Sequence, residues 1–161
     1  MLTQLKYIGC STEDLIKIYC LFIRSKAEYC SITFHSTLTQ KLSDKIETIQ
    51  KASLKVILDE NYISYEAALE MCGLESLYCR REARCLKFGL KSGADYFPLN
   101  PSDDTHEIKN REHFIVNKAK TEKYSKSAIP YIQRKLNNYY QKNYKFENSL
   151  RRKLLRGGGI E

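Results

Sequence analysis

Apolar side chains recur at steps of three and four along two long stretches in the first half of the chain. Over residues 11–34 this stripe follows Ser11, which can cap a helix, and it consists of Ile16, Tyr19, Ile23, Ala27, Cys30 and Phe34. Over residues 41–58 it consists of Leu42, Ile46, Ile49, Ser53, Val56 and Ile57. A period near 3.6 residues predicts two amphipathic helices, with Glu28 on the solvent side of the first.

Two further helices are predicted from capping residues. Ser64 begins a short helix that Gly73 ends, and Ser76 begins another that runs to about residue 91, with Cys79, Ala83, Leu86 and Leu90 as its packing stripe. The sequence therefore predicts an all-α fold. It has a helical bundle of about four helices over residues 1–92, an irregular connector over 93–121, and a basic, Tyr-rich C-terminal helix with a flexible tail over 122–161.

Charge is distributed unevenly along the 161 residues. Residues 1–75 contain 8 Lys and Arg against 10 Asp and Glu, whereas residues 76–161 contain 19 against 9, and the whole chain is +8. Such asymmetry indicates that the second half contacts a polyanion such as nucleic acid. A soluble protein that simply has a basic tail is the alternative.

The predicted fourth helix has a row of cations beside its packing stripe. Arg80, Arg84, Lys87 and Lys91 follow one another at steps of four, three and four, and Arg81 lies next to them. At a rise of ~1.5 Å per residue the row is roughly 16 Å long, which spans several phosphates along one strand. These residues are therefore candidate phosphate contacts, although a basic face is often only solvated.

A second basic segment interleaves cations with aromatic rings. Its candidate nucleic-acid contacts are Lys118, Lys120, Lys123, Lys126, Arg134 and Lys135, followed by Lys142 and Lys145. Its rings are Tyr124, Tyr131, Tyr139, Tyr140, Tyr144 and Phe146. Cations can follow phosphates while rings stack on bases. The alternative is that the tyrosines are the packing face of an amphipathic helix.

Catalytic and metal-binding patterns are absent from the sequence. The adjacent acids Asp103 and Asp104 lie in loop-like sequence with no apolar strand beside them, and His35 is predicted to be a helix-end or packing residue. The six cysteines include no C-x2-C pair, and no apolar run approaches the length of a membrane span. We therefore expect no cofactor, no small-molecule substrate and no membrane partner, and an intracellular location in the nucleus or cytoplasm.

Several motifs follow one another along the chain: E-D-L-I-K-I-Y-C-L-F-I-R-S-K-A-E-Y-C at 13–30, His35, I-Q-K-A-S-L-K-V-I-L at 49–58, Y-E-A-A-L-E-M-C-G-L at 65–74 and K-Y-S-K-S-A-I-P-Y-I-Q-R-K-L-N at 123–137. In this order they resemble the region downstream of the palm in jockey-like non-LTR retrotransposon reverse transcriptases. The resemblance covers residues 1–140. Lys26 departs from the family's usual proline, and Thr33 and Phe34 replace its usual Val-Trp before the histidine.

The resemblance implies a thumb-like bundle that grips the backbone of template and primer. It also implies that the catalytic aspartates and their Mg²⁺ belong to a palm outside this chain. The expected function is that of a truncated, non-catalytic remnant of an RNA-directed DNA polymerase that binds nucleic-acid backbone non-specifically. The alternatives are a helical interaction module, whose helices over 11–58 dock on a palm domain or another protein, and a non-functional gene-model fragment.

Overall fold

The chain is all-α in the computed structural model, which describes the backbone of residues 1–98, 114–116 and 118–157. Side chains are described for residues 1–92, 97–98, 114–116 and 118–143. No strand occurs within these ranges. The chain divides into two compact units, Met1–Cys85 (unit 1) and Leu86–Glu161 (unit 2).

Unit 1 is built from short helices around one long helix. In chain order its elements are α1 (Leu2–Tyr7), α2 (Thr12–Ile18), a π-helical turn (Tyr19–Arg24), α3 (Ser25–Ala27), α4 (Ser31–Phe34), a 3-10 turn (His35–Thr37), α5 (Gln40–Leu58), a 3-10 turn (Asp59–Asn61), α6 (Tyr65–Met71) and the first part of α7 (Leu77–Tyr96). Unit 2 contains the rest of α7, α8 (Glu122–Ser125) and α9 (Ala128–Gly157).

Hydroxyl side chains begin the helices of unit 1. The Oγ atoms of Ser11 and Ser64 accept the backbone N–H of Asp14 and Ala67, and each satisfies a donor that the first turn leaves free. Gly73 follows α6 with a φ of 61°, a left-handed conformation that favours glycine. The predicted start and stop of this short helix are therefore confirmed.

The prediction of one unbroken helix over residues 11–34 is wrong. The helix passes into the π-helical turn after Ile18, ends at Ala27, and resumes only after Cys30, whose φ of 52° is left-handed. A π-helical turn contains one extra residue, so it rotates the following side chains relative to the apolar stripe. As a result Phe22 is exposed, whereas Glu28, predicted on the solvent side, is buried.

The apolar core of unit 1 consists of two neighbouring clusters, and α5 contributes to both. In the first cluster, Ile57 packs with Leu2 of α1 and with Leu15 and Tyr19 of the following segment. In the second, Leu54 and Leu58 pack with Ala68 of α6. The predicted second helix, over 41–58, thus corresponds to α5 and is the element on which the short helices assemble.

The predicted packing stripe of α7 is also wrong. Cys79, Ala83 and Leu90 are exposed, and the buried positions recur at steps of four at Leu77, Arg81, Cys85 and Gly89. The buried stripe includes an arginine and a glycine. A prediction that places only apolar side chains on the buried face would leave both of them exposed to solvent. The helix therefore buries a face that is nearly opposite to the predicted one.

Unit 2 has its core where α7 and α9 approach closely. A Cβ atom added at Gly89 would lie 2.7 Å from Cγ2 of Ile132 and 3.0 Å from two carbons of Leu136. The side-chain Oδ1 of Asn137 accepts the backbone N–H of Phe114 at 2.8 Å, and its Nδ2 donates to the backbone carbonyl of Phe114 at 3.0 Å. Glycine is thus required for the contact between the helices, and Asn137 fixes the segment around Phe114.

The predicted connector is shorter than residues 93–121. Residues 93–96 continue α7, whereas the predicted end at residue 121 agrees with the start of α8 at Glu122. Residues 99–113 and 117 lie outside the described residues. In the described part of the connector, Ile115 donates its N–H to the carbonyl of Pro98.

The C-terminal helix is longer than predicted. It continues to Gly157 and so includes much of the predicted flexible tail, while residues 158–161 lie outside the described residues. Among the helices of the described ranges, none combines the length with the apolar character that a membrane span requires.

Substituting Gly89→Ala should destabilise unit 2. The added methyl group overlaps Ile132 and Leu136, and overpacking of this kind typically costs about 1–3 kcal/mol. The higher helix propensity of alanine offsets about 1 kcal/mol of this loss in the free energy of unfolding. We therefore expect a net loss of up to about 2 kcal/mol in urea denaturation.

Lys87→Ala on the same helix is the control for that experiment. Lys87 is exposed, so its substitution should change the free energy of unfolding by less than about 0.5 kcal/mol. A Gly89→Ala variant more stable than the parent would contradict the close approach of the two helices.

Candidate nucleic-acid interface

Helix α7 begins on a carboxylate that comes from the middle of α5. The two oxygens of Glu47 accept the backbone N–H groups of Leu77, at 3.3 Å, and of Tyr78. They also accept the hydroxyl of Tyr65, at 2.6 Å. A negative charge stabilises the first turn of a helix, whose N–H groups are otherwise unpaired. Glu47 therefore fixes the start of α7, the helix that carries the predicted cationic row.

Arg81 lies one turn further along α7, inside unit 1. Its side chain has no exposed surface, its Nη2 donates to Oγ of Ser43 at 2.9 Å, and the same atom lies 3.9 Å from Oε1 of Glu47. Within the described part of the chain, its Nε and Nη1 atoms have no hydrogen-bond partner. The structure thus places this predicted phosphate contact where solvent and nucleic acid do not reach it.

Arg80 and Arg84 bind the carboxylate of Glu28. Arg80 donates from Nε and Nη2 to the two oxygens of Glu28, and this hydrogen bonding raises the pKa of its guanidinium. Arg84 places Nη2 3.2 Å from Oε2 of the same carboxylate and donates from Nη1 to the backbone carbonyl of Glu28. Both arginines of the predicted row are therefore engaged by a buried protein anion.

Lys87 and Lys91, the other two members of the row, belong to unit 2 and are exposed. Neither forms an ion pair within the residues that the structure describes. These ammonium groups are accessible to an external anion.

The second predicted set of cations divides into exposed and engaged members. Lys118, Lys120 and Lys123 are exposed and form no ion pair with any described residue. Lys126 pairs with Glu122 across one turn at the surface. Arg134 donates to the carbonyl of Ser125 at 2.6 Å, and Nζ of Lys135 lies 5.6 Å from the centre of the Tyr131 ring.

Dividing the chain into its two structural units separates neutral from positive residues more sharply than dividing the sequence after residue 75. Met1–Cys85 contains 11 Lys and Arg and 11 Asp and Glu, so its formal charge is zero. Leu86–Glu161 contains 16 Lys and Arg and 8 Asp and Glu, so it carries the entire net charge of +8. The formal positive charge of the chain therefore lies in unit 2.

Sequence reasoning missed the two acids that hold the arginines. Glu47 had a detectable signal, because it lies on α5 between Ser43 and Gln50 at steps of four and three, and both neighbours are buried. That spacing forms a polar stripe beside the apolar stripe of α5. Glu28 had no comparable signal, since its burial follows from the π-helical turn and from the left-handed residue that comes after it.

Residues considered for catalysis or metal binding do not form a second site in the described ranges. Asp103 and Asp104 lie outside them. His35 is buried with its ring 5.3 Å from the Tyr78 ring, in agreement with a packing role. All six cysteines are free thiols, and no described group of His, Cys, Asp and Glu is arranged to hold a metal ion.

Comparison of the chain with protein-family models, with curated proteins and with solved structures finds no match. The resemblance to reverse transcriptases therefore stays a prediction from the sequence.

Substituting Glu47→Gln should strongly destabilise unit 1. The change removes the charge that compensates the buried guanidinium of Arg81, and breaking a buried ion pair typically costs about 3–5 kcal/mol. The double variant Glu47→Gln/Arg81→Met no longer buries an unpaired charge, so it should recover part of the loss. Urea denaturation measures both. Glu70→Gln, on the exposed surface of α6, is the control, and equal effects of the two Glu→Gln changes would contradict this role.

Unit 1 should lose stability in alkali through its buried phenols. Burial, together with the hydrogen bond to Glu47, raises the pKa of Tyr65 above the value of 10.0 for an exposed tyrosine. The folded protein therefore keeps a proton that the unfolded chain releases. The resulting stabilisation is complete below about pH 10 and is lost as the pH rises above it.

Denaturation at about pH 8 and about pH 11 tests this dependence. The decrease in stability between them should be smaller in Tyr65→Phe than in the parent protein. Tyr7→Phe should behave like the parent, because the side chain of Tyr7 is 93% exposed. An unchanged decrease in Tyr65→Phe would show that this phenol ionises normally in the folded protein.

Proposed function

We propose that the chain binds the backbone of nucleic acid without reading its sequence, and that unit 2 supplies the contacts. The observation that carries the proposal is the location of the whole net charge of +8 in Leu86–Glu161. The exposed lysines of unit 2 that form no ion pair within the described residues are Lys87, Lys91, Lys118, Lys120, Lys123 and Lys142.

The chemistry of these side chains favours backbone contacts over base contacts. A lysine ammonium is a compact charge that meets phosphate oxygens, and such contacts position a protein without distinguishing one base from another. Each phosphate that is neutralised also releases condensed counterions, which supplies most of the free energy of non-specific binding. Unit 2 is thus suited to bind nucleic acid in a salt-dependent and sequence-independent manner.

The motif order supports a more specific proposal about origin. The chain corresponds to the thumb-like and C-terminal part of a jockey-like reverse transcriptase, without the palm motif that carries the catalytic aspartates. On this proposal the chain does not polymerise DNA by itself, needs no Mg²⁺ of its own, and functions in the nucleus or cytoplasm, where its nucleic-acid partners occur.

Salt titration with charge-reversal variants tests the binding. The probe is a fluorescein-labelled DNA duplex of about 20 base pairs, and anisotropy is followed from about 50 to about 200 mM salt. For the parent protein, the logarithm of the binding constant should fall linearly with the logarithm of salt concentration. The triple variant Lys118→Glu/Lys120→Glu/Lys123→Glu should bind at least about tenfold more weakly, with a slope reduced by up to about 2.7 for three lost contacts.

A triple variant with the same change in charge but in unit 1 is the matched control. Lys26, Lys41 and Lys45 are exposed in that unit, and their conversion to Glu should have a much smaller effect on affinity and slope. Equal losses for the two variants would show that only total charge matters. A flat response of the parent protein to salt would refute the proposal itself.

A helical protein-interaction module is the second proposal, and the exposure of large apolar side chains beside α2 favours it. Leu21 and Phe22 in the π-helical turn are 68% and 57% exposed, and Tyr29 is 77% exposed. A palm domain or another protein is the proposed partner of this surface. Association that depends on protein concentration, without any affinity for the duplex probe, would favour this function over nucleic-acid binding.

A further inference from the structure

One edge of α5 exposes apolar side chains to solvent. Leu42 and Ile49 are 47% and 45% exposed, and neither belongs to the two apolar clusters described for unit 1. At about 100° per residue, these two side chains lie about 20° apart around the helix, and the exposed residues Lys45 and Ala52 lie within about 60° of Ile49. These four residues form the open seam of α5, which borders the face that unit 1 buries.

The spacing of the open seam is that of a contact between two helices. Its residues follow one another at steps of three, four and three, the spacing by which one helix packs along another. Ala52 at its end is small, so the backbone of a partner helix can approach closely. From Leu42 to Ala52 the seam extends about 15 Å, and a partner helix of about three turns would cover it.

Positive charge accompanies the open seam. Lys45 lies within it, and Lys41 lies about 40° from Lys45 around the helix, on the side away from the buried face. Both are exposed, and neither forms an ion pair with a residue that the structure describes. Asp44, the exposed acid of α5, lies about 60° beyond Lys41 and accepts a hydrogen bond from Gln40. The carboxylates that complement these two lysines therefore have to come from the partner.

A second copy of this chain would not supply those carboxylates. Its own seam carries the same two ammonium groups, so pairing two seams would bring positive charges together without an acid in the contact. Like charges that meet across an interface disfavour that pairing. An acidic partner helix is favoured instead, because the aliphatic stem of Lys45 can lie on apolar side chains while its ammonium reaches a carboxylate at the edge.

We propose that the open seam of α5 binds an acidic amphipathic helix of another protein. Apolar side chains of that helix pack on Leu42 and Ile49, and its carboxylates lie beside Lys41 and Lys45. The proposal does not depend on nucleic-acid binding by unit 2, because all of these residues belong to unit 1. It also goes beyond the interaction surface proposed beside α2, since it names another helix and the chemistry of its partner.

Two synthetic peptides of opposite charge test the proposal. Each is a fluorescein-labelled amphipathic helix of about 14 residues with leucines along one face, flanked by glutamates in one peptide and by lysines in the other. By anisotropy at about 150 mM salt, the glutamate peptide should bind at least about tenfold more tightly than the lysine peptide. Lys45→Glu should weaken the glutamate peptide and strengthen the lysine peptide. Ile49→Gln should weaken the glutamate peptide about tenfold, because it removes an apolar contact.

Lys26→Glu and Ile63→Gln are the matched controls, since both residues are exposed in unit 1 outside α5 and should leave peptide binding unchanged. Circular dichroism establishes that each variant is folded.

Three results would overturn the inference. Equal effects of Lys45→Glu and Lys26→Glu would show that the peptides respond only to total charge. Dimers in gel filtration that Ile49→Gln dissociates would assign the seam to a second copy. Loss of affinity for the DNA duplex in Lys45→Glu would assign it to the nucleic-acid interface. Peptide binding without any duplex binding would support this inference and refute only the function proposed for unit 2.

Discussion

The orientation of α7 depends on one carboxylate, that of Glu47. It accepts the first N–H groups of the helix and lies beside the guanidinium of Arg81 one turn later, so it fixes both the start of α7 and its rotation about its own axis. With Arg81 turned into unit 1, the side chains of Arg80 and Arg84 are placed on the flank where Glu28 lies. A buried ion pair contributes little net stability, because desolvation offsets the attraction, but it disfavours every other rotation of the helix. The arrangement of cations on α7 is thus a consequence of a contact with α5.

The two units show that positive residues in a sequence and positive surface in a structure are different quantities. Arg80 and Arg84 belong to a regular cationic row in the sequence and Arg81 lies beside it, yet all three bind groups within unit 1, and that unit is electrically neutral. The lysines of unit 2 are less regularly spaced, but several of them remain exposed. The arginines of α7 are not available at the surface as the sequence suggested, because acidic side chains that are distant in sequence lie close to them in space. Glu28 has this role for Arg80 and Arg84.

Local patterns predicted the parts of the fold that local chemistry determines. The bounds of α5, the cap at Ser64 and the stop at Gly73 follow from periodicity and from residues within one turn, and the structure confirms them. The π-helical turn after Ile18 leaves no signal in the apolar pattern. The buried face of α7 was not predictable from local patterns, because it depends on contacts of Glu28 and Glu47 with residues about 30 to 56 positions away. For the candidate interface, the exposure of Lys87, Lys91, Lys118, Lys120 and Lys123 agrees with expectation. The burial of Arg81 required a partner that no neighbouring residue reveals.

The π-helical turn at Tyr19–Arg24 makes the rotation of Glu28 depend on where the preceding helix changes in length. A π-helical turn is an α-helix with one residue added, so the loss of one residue within the turn would restore a regular α-helix and leave Glu28 in place. The loss of one residue from α3, between the turn and Glu28, would instead rotate Glu28 by about 100°, away from Arg80 and Arg84. Two guanidinium groups would then lose their internal anion. Deletions only a few positions apart would therefore have opposite effects on this cluster of charges.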